Sequence, residues 1–182
     1  GLGDVYKRQI MARRSVRKYL DKLVEHEKLA LIAKCGINAP SAMNQQTWAV
    51  RVVENPDFIK GTTEIFKKEN PEQVKRDANF KNMYRNAPNI IVVACPKDDH
   101  YATLNVGLMG ENMMLAAQSL GLGTCCLGSA AMFLQRSEAY KPFIAQLRLP
   151  EGYEISYILA VGYPDEAPAA KPRDEGKIEF IK

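Results

Sequence analysis

YATLNVGLMGENMMLAAQSLGLGTCCLG, residues Tyr101–Gly128, is the stretch of this chain that decides its fold. Apolar residues recur in it at helical spacing on adjoining faces, and Glu111 is its one charged residue. A surface helix has one apolar stripe and one charged face, so a helix that is apolar nearly all round is predicted to be buried nearly all round. The amides, the glutamate and the glycines of this stretch argue against a membrane span.

Two environments would bury this helix. It can be the central helix of a single core, or a second subunit can cover part of its face, because a chain of 182 residues has little room to wrap it completely. Gly107 and Gly110 lie one turn apart and would let another backbone approach closely. The helix pattern alone leaves both alternatives open.

A length of 182 residues predicts one domain over residues 1–182. The apolar content of 46% excludes wholesale disorder. The net charge of +4 is mild, whereas a nucleic-acid-binding domain is usually more basic, with a basic face. The sequence contains neither a recognisable signal peptide nor a transmembrane pattern. The first nine residues, GLGDVYKRQ, have no clear pattern, and we expect them to be a frayed helix start, disordered or non-native.

The four cysteines form no CxxC pair, and only two histidines accompany them. A zinc site is therefore not expected, and we assign no metal-binding residues. Cysteines in apolar runs are typical of buried, reduced thiols in a cytosolic protein. We accordingly expect a cytoplasmic protein.

The remaining pattern mixes helices and strands without strict βαβ alternation, which favours an α+β fold. The residues 89–95, NIIVVAC, form an uninterrupted apolar strand that should be central and covered on both faces. Residues 70–86 are polar and are interpreted as a solvated or mobile connection, and residues 177–182 as a short edge strand. Pro142 should kink or split the helix that contains it. Further helices are predicted over residues 25–37, 57–69 and 137–147, and further strands over residues 48–54 and 153–161.

The residues that can carry chemistry are binding groups. The common hydrolase, zinc-protease and Walker motifs are absent from the sequence. The arginines and the serine of RRSVRKY, residues 13–19, can bind a phosphate, and Lys171 and Arg173 offer a second cationic point. The amides at positions 44–46 can pair with the edge of a heterocycle. Each feature taken alone is also typical of a solvated surface or a turn.

Four segments in order resemble the nitroreductase family, the FMN-dependent oxidoreductases. RRSVRKY resembles the RRSxRxF-type opening of that family, and APSAMNQQTW, residues 39–48, resembles its APSxxNxQPW segment. The long helix followed by GLGTCCLGS, residues 121–129, is similar to the long helix and the G-x-G-x-C-W-[IL]-G segment of the family. VGYP and KPR, within residues 161–173, match its closing G-Y-P…K-x-R pattern.

The resemblance implies a nitroreductase-like fold and a homodimer. Its central mixed or antiparallel sheet would be flanked by helices, with the long helix buried at a dimer interface that holds two FMN sites. The chain departs from the family pattern at two positions. Thr47 stands where proline is frequent, which implies a less rigid loop, and Cys126 stands where an aromatic is common, which changes what packs beneath the flavin.

The resemblance also implies which residues bind FMN. Arg13, Ser15 and Arg17 would hold the phosphate and ribityl end, with Arg173 and Lys171 as a further clamp. Arg14 or a nearby cation would lie toward the pyrimidine edge of the ring. The loop from Pro40 would come from the partner subunit, and the segment from Leu127 would line one face of the ring. The full predicted set is Arg13, Arg14, Ser15, Arg17, Pro40, Ser41, Ala42, Asn44, Gln46, Leu127, Gly128, Ser129, Lys171 and Arg173.

The leading hypothesis is an NAD(P)H-dependent oxidoreductase with no catalytic side chain, because a flavin carries the chemistry itself. FMN would take hydride from NAD(P)H and pass it to a nitroaromatic, quinone or related acceptor at the same ring face, with ping-pong kinetics. Reductive dehalogenation or flavin breakdown would require substrate-covering segments for which this chain is short. No motif distinguishes NADH from NADPH.

Two other classes of protein remain as alternatives. One is a protein that binds flavin without turnover. The other is a basic module that binds nucleic acid or an acidic partner, but Tyr19 is the only aromatic residue near the first basic cluster, and interleaved aromatics are missing. We therefore expect no nucleic-acid partner and no membrane partner.

Overall fold

A four-stranded sheet forms the middle layer of the computed structural model, which describes residues 1–182. All neighbouring strands are antiparallel, in the order β1-β2-β4-β3, and the α+β class predicted from the sequence is confirmed. The strands are β1 (Ala49–Val53), β2 (Asn89–Pro96), β3 (Gly123–Leu127) and β4 (Tyr153–Gly162). The helices are α1 (Leu2–Ala12), α2 (His26–Ile37), α3 (Pro56–Glu69), α4 (Pro71–Lys75), α5 (Ala102–Ser119), α6 (Gly128–Arg136) and α7 (Lys141–Gln146).

Strand β2 is buried on both faces, as its uninterrupted apolar sequence predicts. Ile90 and Val92 point into the core beneath α3 and α6, whereas Ile91 and Val93 point into the core beneath α2 and α5. The side chains of all four are fully buried. The sheet therefore separates two hydrophobic cores, and helices cover it on both sides.

Helix α5 is buried along one face in the single chain. Met109 and Met113 are fully buried, but Leu104 and Leu108 are 58% and 42% exposed. The expected burial nearly all round is thus not provided by this chain alone. Gly110 provides a close approach to the sheet, because a Cβ atom there would lie 2.6 Å from the hydroxyl oxygen of Tyr157.

The segment of residues 70–86 is more ordered than its polar sequence indicated. It begins with helix α4, and Tyr84 near its end is fully buried. The hydroxyl of Tyr84 forms a hydrogen bond of 2.8 Å with that of Thr62 in α3. The interpretation as a solvated connection is therefore wrong at this end, because one aromatic side chain anchors the segment in the core.

The other predicted elements are mostly confirmed, with two corrections. The helix expected over residues 137–147 is split as Pro142 predicts, into a 3-10 turn over Glu138–Tyr140 and helix α7. Helix α6 begins at Gly128, directly after β3, where no helix was predicted. Residues 178–182 form no strand and are exposed, which corrects the expected edge strand.

The first residues of the chain belong to helix α1, which contributes no buried side chain. It is attached to α5 by the side-chain amide of Gln9, whose Nε2 donates to the carbonyl of Leu115 at 2.6 Å. The single domain over residues 1–182 and the non-native character of the first nine residues stay predictions. None of the helices combines the length and the apolar character that crossing a bilayer requires.

Two fully buried tyrosines provide a matched test of core packing. The hydroxyl of Tyr140 has no hydrogen-bond partner, and burial raises its pKa to about 12, whereas the hydroxyl of Tyr84 is paired with Thr62. We expect Tyr140→Phe to leave the free energy of unfolding unchanged or to raise it by up to about 1 kcal/mol, and Tyr84→Phe to lower it by about 1 kcal/mol. Urea unfolding of both variants checks this prediction. Equal destabilisation by the two substitutions would show that Tyr140 has a partner, such as an internal water.

Candidate functional site

The arginine-rich segment of residues 13–19 lies along the outer edge of strand β3. The backbone N–H of Val16 donates to the carbonyl of Thr124 at 2.9 Å, and the segment runs parallel to the strand there. Further along, the N–H of Leu20 donates to the carbonyl of Tyr163 at 2.9 Å. The segment is therefore held between the edge of the sheet and the turn that follows β4.

Two glycines allow this segment to lie close against the sheet. A Cβ atom on Gly123 would lie 2.8 Å from the Cβ of Val16, and one on Gly162 would lie 2.7 Å from Cδ1 of Tyr19. Such distances leave no room for a larger residue at either position. Tyr19 is buried, which raises the pKa of its hydroxyl, and that hydroxyl donates to the carbonyl of Val16 at 2.5 Å.

The turn after β4 is itself anchored to helix α2. The hydroxyl of Tyr163 donates to Oε2 of Glu25 at 2.5 Å and accepts from Nζ of Lys28 at 2.7 Å. The hydrogen bond from Tyr163, helped by the nearby Lys28, lowers the pKa of Glu25 to about 2. The carboxylate is therefore ionised at neutral pH, and the anchor persists under mildly acidic conditions.

Cationic side chains from both ends of the chain line one small cavity of about 180 Å³, here called the cationic pocket. Three arginines come from the segment along β3, and a lysine and an arginine come from the C-terminal part of the chain. The residues that line it are Arg13, Arg14, Ser15, Arg17, Pro168, Ala169, Lys171 and Arg173. Six of them belong to the set predicted from the sequence, and their charge suits an anion such as a phosphate.

The arginines of the cationic pocket are engaged in different ways. Nε of Arg13 donates to Oε1 of Glu111 in α5 at 3.0 Å. Nη1 of Arg14 donates to the carbonyl of Met11 at 2.8 Å, at the end of helix α1. The backbone N–H of Arg17, by contrast, donates to Oε1 of a glutamate in the turn after β4, Glu166, at 2.5 Å. Hydrogen bonds therefore fix two of the guanidinium groups and the backbone of the third arginine.

A second cavity, of about 200 Å³, adjoins the cationic pocket and shares Arg17 with it. We call it the aromatic cavity, because Phe66 stacks on Phe80 with ring centroids 5.8 Å apart and meets Phe133 edge-on at 5.0 Å. Of the residues predicted from the sequence, Leu127 and Ser129 line it as well. Its remaining lining residues were not predicted and are Gln73, Asp77, Asn82, Met83, Arg85, Asn86 and Ala130.

Gly128 lies between those two predicted residues in sequence but lines a different, open groove between α6 and β4. The neighbouring cysteines differ in exposure. Cys125 is buried, and burial raises the pKa of its thiol, whereas Cys126 at the position where an aromatic was expected is exposed. The structure therefore leaves one surface thiol in β3, and it lines neither cavity.

The amide-rich loop lies apart from both cavities. Pro40, Ser41, Ala42, Asn44 and Gln46 line neither the cationic pocket nor the aromatic cavity. Within one chain, the structure therefore does not bring these five predicted residues together with the other predicted residues. A role for them in the same site requires a second copy of the chain.

This loop is held in a strained conformation by a buried amide. Three of its non-glycine residues are left-handed, with φ of 51° at Met43, 53° at Asn44 and 53° at Gln46. Asn105 of α5 is 2% exposed; its Oδ1 accepts from the N–H of Ala42, and its Nδ2 donates to Oγ1 of Thr47, both at 3.2 Å. Thr47, where the family often has proline, thus gains a tether to the core.

The fold recurs in known proteins. A crystal structure of a nitroreductase with bound FMN from Bacteroides fragilis matches with a TM-score of 0.83 at 26% sequence identity, covering 97% of this chain and 98% of that chain. The model of the Nitroreductase family matches residues 10–163. The chain therefore belongs to the nitroreductase family.

Two named relatives resemble it over most of its length. A protein of Archaeoglobus fulgidus, provisionally named NADH dehydrogenase/NAD(P)H nitroreductase, is 32% identical over 164 residues, which are 87% of this chain and 85% of the relative. The FMN reductase (NADPH) of Bacillus subtilis is 25% identical over 180 residues, with 90% of this chain and 68% of the relative covered.

The contact between Gly123 and Val16 provides a test of how the arginine-rich segment is held. We expect Gly123→Ala to lower the free energy of unfolding by about 1–3 kcal/mol, because the added methyl group displaces the segment from β3. Gly3→Ala in α1, where no atom lies within 4 Å of an added Cβ, is the control and should cause no loss. Denaturant unfolding measures both. A stability of Gly123→Ala equal to that of the control would contradict the close approach.

Proposed function

We propose that this protein is an FMN-dependent oxidoreductase that takes hydride from NAD(P)H and passes it to a nitroaromatic, quinone or related acceptor. The cationic pocket is the observation that carries this proposal, because five cationic side chains and a serine surround one small volume. Membership of the nitroreductase family supports it. So do the FMN bound in the Bacteroides fragilis relative and the name of the Bacillus subtilis relative.

The donor set of the cationic pocket fits the phosphate group of FMN. Guanidinium groups present paired N–H donors in a plane that matches two phosphate oxygens, and an ammonium group adds a compact point charge. The adjoining aromatic cavity has an apolar wall of phenylalanines, which suits a flat heterocycle next to a phosphate. The two cavities together therefore fit a ligand with one anionic end and one aromatic end.

The residues of the chain would bind and orient the cofactor. Arg13, Arg17 and Arg173 would hold the phosphate with Lys171, and Ser15 would donate a hydroxyl hydrogen bond. When bound, FMN supplies the two-electron chemistry, accepting hydride from NAD(P)H and delivering it to the acceptor. No side chain is assigned an acid–base role. We propose that both substrates use the same open face of the site in turn, which gives ping-pong kinetics.

We also propose that the working form is a homodimer. Leu104 and Leu108 leave an apolar face of α5 exposed, and Met43 on the adjacent loop is 82% exposed. Asn105 ties the loop to α5, so the two elements are neighbours. A second copy packed on both elements would cover the apolar side chains and would place its own loop, from Pro40 to Gln46, near the site of its partner.

The absorption spectrum of the protein tests the proposed activity. We expect FMN to co-elute with the protein in gel filtration, NADH or NADPH to bleach the flavin band without oxygen, and an added quinone to restore it. A protein that binds FMN but is reduced by neither nucleotide would be a flavin-binding protein without turnover. A protein that does not bind FMN but binds nucleic acid would instead be the basic module considered as an alternative, with the arginine cluster as its binding surface. Initial-rate plots for NAD(P)H and the acceptor that give intersecting rather than parallel lines would contradict the use of one open face of the site by both substrates.

The dimer has its own test. We expect Leu104→Lys/Leu108→Lys to shift the protein from dimer to monomer in analytical ultracentrifugation and to weaken FMN binding, because buried lysines without partners are costly. Met132→Lys on α6 is the control, since Met132 is 49% exposed and outside the proposed interface. A wild-type protein that is monomeric and still binds one FMN per chain would overturn the proposed dimer.

A further inference from the structure

Glu111 is the only charged residue of helix α5. It lies on a helix whose neighbouring positions contribute to the hydrophobic core. Its carboxylate has one ionic partner, since Oε1 accepts from Nε of Arg13 at 3.0 Å. The side chain of Arg13 is only 20% exposed, and that of Glu111 is 45% exposed. The pair therefore joins the central helix to the start of the arginine-rich segment.

The contact leaves the ligand-binding end of Arg13 available. It uses the Nε–H group, and the two terminal amino groups of Arg13 form no hydrogen bond within the chain. Arg13 lines the cationic pocket and also a neighbouring cavity of about 320 Å³. A guanidinium group held through Nε can still present its two terminal nitrogens to a pair of phosphate oxygens. Arg14 differs, because its Nη1 already donates to two backbone carbonyls.

A carboxylate this close to an anion pocket has two effects of opposite sign. Its negative charge lowers the local positive potential and so opposes phosphate binding. Its hydrogen bond also removes rotamer freedom from a long side chain before the ligand arrives, which favours binding. A substitution that keeps the acceptor oxygen but removes the charge separates the two effects.

We propose that Glu111 is a positioning residue that orients the guanidinium group of Arg13 toward the phosphate of the bound flavin. It thereby increases the preference of the protein for FMN over riboflavin, which has the same ring system without the phosphate. This inference rests on the proposed function, in which the cationic pocket binds the phosphate of FMN. Glu111 acts through Arg13 and touches no reacting atom.

The affinities of the cofactor-free full chain for FMN and for riboflavin test this inference, measured by flavin fluorescence titration. We expect Glu111→Ala to weaken FMN binding about 3- to 10-fold, as loss of one pre-ordered side chain does, and to leave riboflavin binding unchanged. Glu111→Gln should keep wild-type or tighter FMN binding, because its amide oxygen still accepts from Arg13. Tighter FMN binding by both variants would overturn the positioning role, because only the repulsion between the Glu111 carboxylate and the phosphate would then explain the result. Parallel losses for FMN and riboflavin would overturn it as well.

Two further variants make the outcome specific. Glu54→Ala is the matched control, because Glu54 is also an ion-paired glutamate, its partner being His26, and it lies outside both cavities. It should change neither affinity. Lys171→Ala/Arg173→Ala separates this inference from the proposed function. Loss of FMN preference in that variant but not in Glu111→Ala would overturn only the role of Glu111. Unchanged preference in Lys171→Ala/Arg173→Ala would overturn phosphate binding in the cationic pocket itself.

Discussion

Burial of the two central strands on both faces is the constraint on which the rest of this structure depends. Strands β2 and β4 carry apolar side chains on alternate sides, so both faces of the sheet must be covered by helices. Charged groups then have access only to the edges of the sheet and to the ends of its strands. The cationic pocket lies at such a place, beside the outer edge of β3 and the turn after β4. The position of the site therefore follows from the core.

The charged residues and the serine of the cationic pocket could be predicted from the sequence, because the ability of these side chains to bind a phosphate does not depend on the fold. The segment that contains the arginines at positions 13, 14 and 17 has too many charges to lie in a core, and guanidinium groups bind phosphate well. Their proximity to Lys171 and Arg173 could be expected only from the family resemblance. The aromatic cavity could not be predicted, since Phe80 lies in a polar segment without hydrophobic periodicity. Phe80 is only half-buried, and its place in the cavity wall depends on stacking against Phe66, which is a tertiary contact.

Helix α5 shows the limit of pattern analysis in another way. The sequence indicates correctly that the helix is apolar, but periodicity does not reveal which apolar face the chain itself covers. Likewise, the sequence of the loop does not indicate that Met43 and Asn44 both adopt left-handed backbone conformations. Those conformations are retained because a buried side chain, Asn105, bonds to both ends of the loop. Tertiary contacts override local preference at both places.

The hydrogen bond between Val16 and Thr124 has a consequence for solubility. Strand β3 is an edge strand, and residues 15–16 are the backbone that covers its outer side. Whenever this segment detaches, unpaired N–H and C=O groups become available to a strand of another molecule, which is a common route to aggregation. A ligand that bridged the arginines of the segment and the C-terminal cations, as proposed for FMN, would also keep the edge of the sheet closed. Under the proposed function, retention of the ligand and resistance to aggregation would therefore depend on the same few residues.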